Sequence, residues 1–298
     1  MSYDLPAGIT NVTLADNYPA LQIDLPTCQA TLALHGAHLT HWQPAHTPHP
    51  VLYTSPTAIY REGKAIRGGV PLCWPWFNAH PTAPEQHPSH GVARDRFWEL
   101  KSATTTNEAA VLTLTLPTSP AIAEHVLFPY QLEATFTLGK TCRIELATTN
   151  LSSQNIPIGG ALHTYLALSQ IAQIDLHGLQ NTSYLDTTTS PEEDLSQPEE
   201  SLRIGHEVDR IYYGTQYPIT LHDPTWKRTI TVAKEGSLST VIWNPWIQKA
   251  TALGDLPNEG YQDFVCIEAA NARHDSRILP PGQSHRLSTT LSVDPLNP

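Results

Sequence analysis

The stretch LEATFTLGKTCRIELATTN, residues 132–150, decides the fold class. Apolar and polar side chains alternate along each half of it, and Gly139-Lys140 interrupts the alternation. Alternation with a period of two places every second side chain on the same face of a β-strand. A short glycine-containing break between two such runs is typical of a hairpin turn. The stretch therefore predicts two antiparallel strands joined by a tight turn.

Alternating runs recur along the whole chain. They lie at 111–116, 228–233 and 285–293. Strand signals spread this widely, with no break in composition between two regions, favour one continuous β structure. We therefore expect an all-β fold, a large antiparallel β-sandwich that forms a single domain over residues 1–298.

Helical signals are few and short. Ser55-Pro56 and Ser119-Pro120 each resemble an N-cap followed by a proline at the first helical position. Only 15% of the residues are charged and 26 are prolines, which disfavours long helices. The acidic segment 190–200 is expected to form a solvated loop with about one helical turn. The sandwich should therefore carry only a few short helices.

Charge and hydropathy limit the possible partners. The formal net charge is −11 and the isoelectric point is near 5.7, so nucleic acid and anionic membranes should be repelled. A small anionic substrate stays compatible, because a local pair of arginines can outweigh a diffuse negative surface. No segment approaches the roughly 18 apolar residues of a membrane helix. Residues 1–10 lack the basic and apolar regions of a signal peptide, so we expect a cytoplasmic protein.

The cysteines indicate the redox state of the compartment. No CxxC pair is present, so free buried thiols in a reducing compartment are expected. The four cysteines are Cys28, Cys73, Cys142 and Cys266.

No amphipathic helix or heptad repeat indicates a partner chain, and we therefore expect a monomer.

The stretch IRGGVPLCWPWF, residues 66–77, combines a cation, glycines and aromatic rings. Gly68-Gly69 lets the backbone approach a ligand and offers N–H groups to an anion. Arg67 offers a planar fork for phosphate or carboxylate. An ordinary turn is the alternative explanation of the glycines. Trp74 and Trp76 would share one face of an extended segment, where they either line a sugar pocket or pack in the core.

A second polar cluster lies in SHGVARDRFWEL, residues 89–100. His90 precedes a glycine, so its ring is expected at the end of a loop. Arg94 follows four residues later, at a predicted transition from loop to strand. A surface ion pair of Arg94 with Asp95 or Glu99 is the alternative.

Two more ionisable residues lie within apolar, strand-like runs. His163 is inside GGALHTYLAL at 159–168, and Glu268 ends the apolar part of DFVCIEAANA at 263–272. Burial would raise the pKa of a carboxyl group there and bring it toward the strength of a useful general base. The alternatives are a hydrogen-bonded core histidine and a salt bridge at the end of a strand.

The 15 histidines do not predict a metal site. His35, His38 and His41 are spaced three apart, so that consecutive members would face opposite sides of a strand. HExxH and paired CxxC motifs are absent from the sequence, as are Walker A, GxGxxG and GxSxG. We therefore predict no metal and no cofactor. The absence of Walker A, GxGxxG and GxSxG disfavours nucleotide-dependent and serine-hydrolase chemistry.

Four blocks in order carry a resemblance: IRGGVPLCWPWF, HGVARDRFWEL, ALHTYLAL and FVCIEAAN. They resemble the glucose-6-phosphate 1-epimerase (hexose-6-phosphate mutarotase) branch of the aldose 1-epimerase superfamily, over roughly residues 20–293. The family fold, the galactose mutarotase-like supersandwich, is a large antiparallel β-sandwich and agrees with the alternation. The resemblance implies an isomerase that interconverts the α and β anomers of a hexose 6-phosphate, with glucose 6-phosphate as the first candidate.

The resemblance also implies roles for two ionisable residues. His163 and Glu268 match the catalytic acid–base pair. The sugar ring would open when Glu268 takes the proton of the O1 hydroxyl and protonated His163 gives a proton to the ring oxygen. Reclosure on the other face completes the exchange, and no cofactor is needed.

Further residues are implied to bind the substrate. Arg67 and Arg94 match the arginines that hold the sugar phosphate, and His90 matches a sugar-contacting position. Asp209, in EVDRIYY, matches an acidic substrate-binding position, with a surface Asp-Arg ion pair as the alternative. Ser89 stands where some relatives have a longer amide side chain, so a hydrogen bond from that amide would be lost or replaced by water.

Three other functions are the alternatives, of which a metal-dependent sugar isomerase with a β-barrel would require a bound metal and sensitivity to EDTA. An epimerase of unphosphorylated aldoses would use the same acid–base pair, because arginine also binds hydroxyl groups. A non-catalytic sugar-binding β-sandwich would keep the arginines and aromatic rings without needing both His163 and Glu268.

Overall fold

The computed structural model describes residues 3–15 and 17–296. Extended backbone dominates this part of the chain. The strands, numbered in chain order, are β1 (Ile9–Leu14), β2 (Tyr18–Leu25), β3 (Cys28–Ala33), β4 (His38–Pro44), β5 (Leu72–Cys73), β6 (Glu99–Thr105), β7 (Ala109–Thr115), β8 (Tyr130–Gly139), β9 (Cys142–Asn150), β10 (Ile156–Ile158), β11 (Gly160–Leu162), β12 (Tyr165–Ala167), β13 (Asp175–His177), β14 (Thr182–Asp186), β15 (Glu193–Gln197), β16 (Ser201–Leu202), β17 (Val208–Tyr213), β18 (Ile219–Asp223), β19 (Arg228–Glu235), β20 (Ser239–Asn244), β21 (Phe264–Asn271), β22 (Arg277–Leu279) and β23 (Ser284–Pro295).

The helices of the described residues are short. They are α1 (Pro120–Ala123), α2 (Trp246–Ala252) and the 3₁₀ turns Ala93–Asp95, Ile171–Gln173, Gly260–Asp263 and Arg273–Asp275. The Ser119 hydroxyl accepts a hydrogen bond from the Ile122 N–H, so the N-cap predicted there is confirmed. The helix predicted after Ser55 is wrong, because the Ser55 hydroxyl accepts from the Thr57 N–H and the chain makes a turn instead.

The larger of two big sheets contains the stretch that predicts the fold. Its nine strands, as far as the described residues go, have the order β16-β13-β18-β19-β23-β9-β8-β7-β6. Leu138 pairs with Cys142 across the turn at Gly139-Lys140, so the predicted β8–β9 hairpin is confirmed. Buried and half-buried positions alternate strictly along β9, as expected for a strand with one face on the core.

The second big sheet positions the candidate site. Its strands have the order β15-β14-β17-β20-β21-β11-β5, and β12 also pairs with β21. Every residue of β21 is buried. Because both faces of this strand are covered, its sequence is a nearly continuous apolar run rather than an alternating one. A polar side chain on β21 is therefore withdrawn from water whichever face it occupies.

The acidic segment forms an edge of this second sheet. Strand β15 pairs with β14 over Glu193–Gln197, and four of its five residues are exposed. The predicted loop is therefore wrong for this part of 190–200. The strand lacks the buried face that produces alternation, and its negative charges oppose further pairing at the edge.

Two smaller sheets, β1-β2-β3-β4 and β10-β22, complete the sheet structure of the described residues. One continuous core takes side chains from the four-stranded sheet and from both big sheets, with Trp42, Trp74 and Trp98 among its largest members. The four cysteines are free and buried, as predicted. The predicted all-β, antiparallel fold is confirmed. None of the described helices has the length and apolar character needed to cross a membrane.

Candidate active site

His163 and Glu268 face each other across paired strands. Strand β11 ends just before His163 and β12 begins shortly after it, and both pair with β21, which carries Glu268. The His163 N–H donates to the Pro71 carbonyl at 3.0 Å, which fixes the backbone between the two short strands. Nε2 of His163 lies 3.4 Å from Oε1 of Glu268. The structure thus brings together the two residues proposed as acid and base.

Burial shapes the protonation of this pair. His163 is 7% exposed and Glu268 is 1% exposed. Burial raises the pKa of Glu268 well above its ordinary value, and Asp209 adds to the rise while Arg94 opposes it. Burial lowers the pKa of His163 well below 6.5, and the charges of Arg94 and Arg67 lower it further. The neutral form of each group is favoured, with the ionisable proton on the carboxyl group.

The same pair has unused hydrogen-bonding capacity. Both carboxyl oxygens of Glu268 and Nδ1 of His163 are buried without a hydrogen-bond partner among the described residues. Buried polar atoms are almost always satisfied, so atoms left unpaired indicate a place where a ligand supplies the missing bonds.

A cavity of about 320 Å³ surrounds the pair. Its volume suits a ligand of monosaccharide size. Its lining contains the seven polar residues singled out from the sequence, Arg67, Ser89, His90, Arg94, His163, Asp209 and Glu268. Residues that are separated by up to about 200 positions in the chain therefore meet at one place.

Arg67 is held in place by two buried partners. Its Nε and Nη2 donate to the two carboxylate oxygens of Asp255 at 3.0 and 3.4 Å. Its Nη1 donates to the Tyr165 hydroxyl at 3.2 Å. A guanidinium has five N–H donors, so two are left for a ligand.

The glycines beside Arg67 serve close packing of the backbone. Gly69 has φ +57°, and a Cβ atom there would lie 2.3 Å from the Leu39 carbonyl oxygen. Gly68 has φ +109°, and its Cβ would lie 2.4 Å from the Thr54 Cα. The Gly69 N–H already donates to the Tyr53 carbonyl at 2.6 Å. The prediction that this N–H is offered to an anion is therefore wrong.

Arg94 lies in the 3₁₀ turn Ala93–Asp95, which corrects its predicted place at a transition from loop to strand. Its Nη2 donates to the Ser89 carbonyl at 3.0 Å. His90 has φ +66°, and its ring lies edge-on to the His163 ring, with 5.8 Å between the centroids. Burial and the charge of Arg94 lower the pKa of His90 well below 6.5. A neutral imidazole thus adjoins the acid–base pair.

A second cavity, of about 220 Å³, adjoins the first. The two cavities share Arg67, Ser89 and Arg94 in their linings. The second also includes Lys64, Tyr165 and Asp255. The two arginines therefore lie where the cavities meet.

Several lining residues lie outside the sequence blocks singled out above. They are Asn78, Val241, Trp243 and Lys249. Lys249 lies on α2 and pairs with Glu207 at 2.7 Å. Trp243 of β20 stands opposite Asp209 of β17, whose pKa is raised by burial. Only the pairing of these strands and the docking of α2 bring such residues to the cavity, and neither can be inferred from a motif.

The two tryptophans suggested for the sugar pocket lie elsewhere. Trp74 is 1% exposed, and its Nε1 donates to the Thr148 hydroxyl in the core. Trp76 donates to the Pro88 carbonyl and lines a separate cavity of about 400 Å³. The core-packing alternative thus describes Trp74. The aromatic rings on the wall of the His163 cavity are Phe77 and Trp243.

One group of side chains has metal-ligand character. Among the described residues, ligand atoms of His163, Cys266 and Glu268 lie within 4.8 Å of one another. These donor types suit zinc. The guanidinium groups of Arg67 and Arg94, whose charges lower the pKa of His163, make the site unfavourable for a further cation and favourable for an anion.

The chain resembles several known proteins in sequence and in structure. A Salmonella typhimurium protein with the provisional name glucose-6-phosphate 1-epimerase is 34% identical over 278 residues, which cover 93% of this chain and 91% of that protein. An Escherichia coli protein with the same provisional name is 33% identical over 270 residues, with coverages of 91% and 89%. The crystal structure of a provisionally assigned mutarotase from Salmonella typhimurium superposes with a TM-score of 0.91 at 31% identity, covering 99% of this chain and 96% of that one.

The fold is shared more widely than the sequence. A galactose mutarotase-related enzyme from Lactobacillus acidophilus has a TM-score of 0.72 at 13% identity, over 93% of this chain and 98% of that chain. The sequence pattern of the aldose 1-epimerase family matches residues 19–292. This match agrees with the resemblance carried by the four sequence blocks. The chain therefore belongs to the aldose 1-epimerase family.

Proposed function

We propose that the protein interconverts the α and β anomers of a hexose 6-phosphate, with glucose 6-phosphate as its substrate. The observation that carries the proposal is the shared cavity, in which the buried His163–Glu268 pair lies together with Arg67 and Arg94. The family match and the names of the relatives support both the reaction and the substrate class.

The acid–base pair supplies the proton transfers. Glu268 as carboxylate removes the O1 proton, and His163 as imidazolium gives a proton to the ring oxygen, which opens the ring to the aldehyde. Rotation about the C1–C2 bond and the reverse transfers close the other anomer. Each positioned group contributes on the order of 10²–10⁴-fold to the rate. These steps need no cofactor.

Burial favours the direction in which these protons move. Ring opening leaves Glu268 protonated and His163 neutral, and these are the forms that burial favours. The charged pair, Glu268 carboxylate with His163 imidazolium, holds one ionisable proton, and so does the neutral pair. His163 gives a proton to the ring oxygen while Glu268 takes one from O1, so no proton is exchanged with solvent. Desolvation thus favours the neutral pair that ring opening produces and disfavours the charged pair that begins ring opening and is regenerated on reclosure.

The arginines hold the phosphate away from the reacting carbon. Arg67 has two guanidinium N–H groups left for a ligand, and Arg94 lies beside it where the two cavities meet. Guanidinium and phosphate form charge-assisted, often bidentate hydrogen bonds. With the phosphate there, the sugar ring occupies the first cavity, over the acid–base pair.

The remaining polar residues are assigned to the sugar hydroxyls. His90, Asp209 and Ser89 lie on the wall of the same cavity as the acid–base pair. We further expect the enzyme to act as a monomer. Its free, buried cysteines suit a reducing compartment, so we expect it in the cytoplasm.

Anomer-exchange NMR with a panel of sugars tests the proposal. The kcat/KM for glucose 6-phosphate should exceed that for glucose by at least about tenfold, because phosphate adds hydrogen bonds to charged groups. Arg67→Ala and Arg94→Ala should each raise the KM for glucose 6-phosphate much more than that for glucose. Activity should be unchanged by EDTA. Equal rates on glucose and glucose 6-phosphate would favour an epimerase of free aldoses, and binding without exchange would favour a non-catalytic sugar-binding protein.

A further inference from the structure

Tyr165 contacts both functional parts of the candidate site. Its hydroxyl accepts a hydrogen bond from Nη1 of Arg67 at 3.2 Å. Its ring stacks on the His163 imidazole, with 4.9 Å between the centroids and 12° between the planes. We infer that Tyr165 is a positioning residue whose hydroxyl sets the preference for phosphorylated sugars and whose ring orients the acid. The inference rests on the function proposed above.

The hydroxyl completes the fixation of Arg67. Asp255, whose side chain is 5% exposed, takes two of the five guanidinium donors, and Tyr165 takes a third. Anchored on two sides, the guanidinium keeps its two remaining N–H groups in one orientation. A guanidinium group held in one orientation loses little conformational entropy when it binds phosphate.

The phenol also presents its own proton to the phosphate region. Tyr165 lines the second cavity, in which Arg67 and Arg94 also lie. Its hydroxyl oxygen accepts from Arg67, so its O–H group is available as a donor to a phosphate oxygen. Burial raises the pKa of Tyr165, which keeps this proton in place at neutral pH.

The ring acts on a different part of the reaction. A stacked aromatic surface limits rotation of the His163 imidazole, whose Nε2 must stay near Glu268. Phe264 also packs on the Tyr165 ring, at 5.1 Å between centroids, and Trp243 meets it edge-on. Because hydroxyl and ring have separate partners, two substitutions can separate their effects.

Three variants test the inference. Tyr165→Phe removes the hydroxyl and keeps the ring, whereas Tyr165→Leu removes both. Tyr130→Phe is the matched control, because its buried hydroxyl has no hydrogen-bond partner among the described residues and its ring packs on Trp74 in the core. The readouts are KM and kcat for anomer exchange of glucose 6-phosphate and of glucose, with circular dichroism as a check of folding.

Tyr165→Phe should raise the KM for glucose 6-phosphate by about tenfold, the usual effect of one lost hydrogen bond to a charged group, and leave its kcat within about twofold. Its kinetics on glucose should be unchanged. Tyr165→Leu should in addition lower kcat on both sugars, and Tyr130→Phe should change neither constant.

Two results are decisive against the inference. If Tyr165→Phe keeps the wild-type preference for glucose 6-phosphate, the inference is overturned while the proposed function stands. If the wild-type protein exchanges the anomers of neither sugar, the proposed function fails and the inference fails with it.

Discussion

Glu268 is the residue at which burial and chemistry are most closely linked. It lies on a strand that is buried along its whole length, and its carboxyl group meets the His163 imidazole at 3.4 Å. The apolar run before Glu268 is visible in the sequence, and it correctly indicates burial. The distance to His163 is not visible there, because it depends on how β11 and β12 align with β21.

The pair should give the reaction a bell-shaped dependence on pH. Activity requires one proton on the pair, so it should fall in acid when His163 also gains a proton, and in alkali when Glu268 loses its own. Because the pKa of His163 is lowered, the acid limb should lie below pH 6.5. Because the pKa of Glu268 is raised, the alkaline limb should lie well above its ordinary value of 4.5.

The measurement is kcat/KM for anomer exchange across the pH range, after subtraction of the spontaneous reaction. Phosphate monoesters titrate near pH 6, so glucose serves as the control substrate that lacks this group. An acid limb centred above pH 6.5 on both sugars would contradict the assignment of a buried His163.

At the scale of single elements, the sequence predicts strands well where one face is buried. The alternation at 132–150 gives the β8–β9 hairpin with its turn in the right place. The exposed edge strand Glu193–Gln197 escapes prediction, because it has no buried face to produce alternation. Trp74 shows a second limit, since period-two spacing places a ring on a face without saying whether that face meets the core or a cavity.

The backbone conformation of the loop that carries Arg67 should require glycine at position 69. Gly69→Ala brings a Cβ atom to 2.3 Å from the Leu39 carbonyl oxygen, and that backbone must move. Gly214→Ala is the matched control, because Gly214 also has positive φ but no atom lies within 4 Å of its added Cβ. The control should lose roughly 1–2 kcal/mol of unfolding free energy from the left-handed backbone alone. Gly69→Ala should lose roughly 1–3 kcal/mol more through overpacking.

Chemical unfolding measures these losses, and kinetics on glucose 6-phosphate reports whether Arg67 has moved. Gly69→Ala should raise the KM for the phosphorylated sugar, and Gly214→Ala should not. Equal stability and equal KM in the two variants would show that the close packing around Gly69 does not position Arg67.

At the scale of the whole molecule, the cavity is a product of topology. Arg67 precedes β5, His163 lies between β11 and β12, and Glu268 lies on β21, and these strands are neighbours in one sheet. The sequence blocks identify such residues through their resemblance to a family, because sequence spacing alone cannot bring them within reach of each other. Lys249 and Trp243 belong to no such block, and only the folded chain reveals them.

Exchange NMR on variants of His163 and Glu268 tests most directly whether these two residues exchange the anomers of glucose 6-phosphate. Glu268→Gln keeps the shape of the side chain, and both Glu268 oxygens lack a hydrogen-bond partner among the described residues, so the fold should persist. Glu235→Gln, on an exposed side chain, is the control.

Circular dichroism should show that all variants are folded. Glu268→Gln and His163→Ala should each lower kcat by on the order of 10²–10⁴-fold, while Glu235→Gln retains the wild-type rate. Exchange at close to the wild-type rate in either His163→Ala or Glu268→Gln would contradict the assignment of these two residues as acid and base.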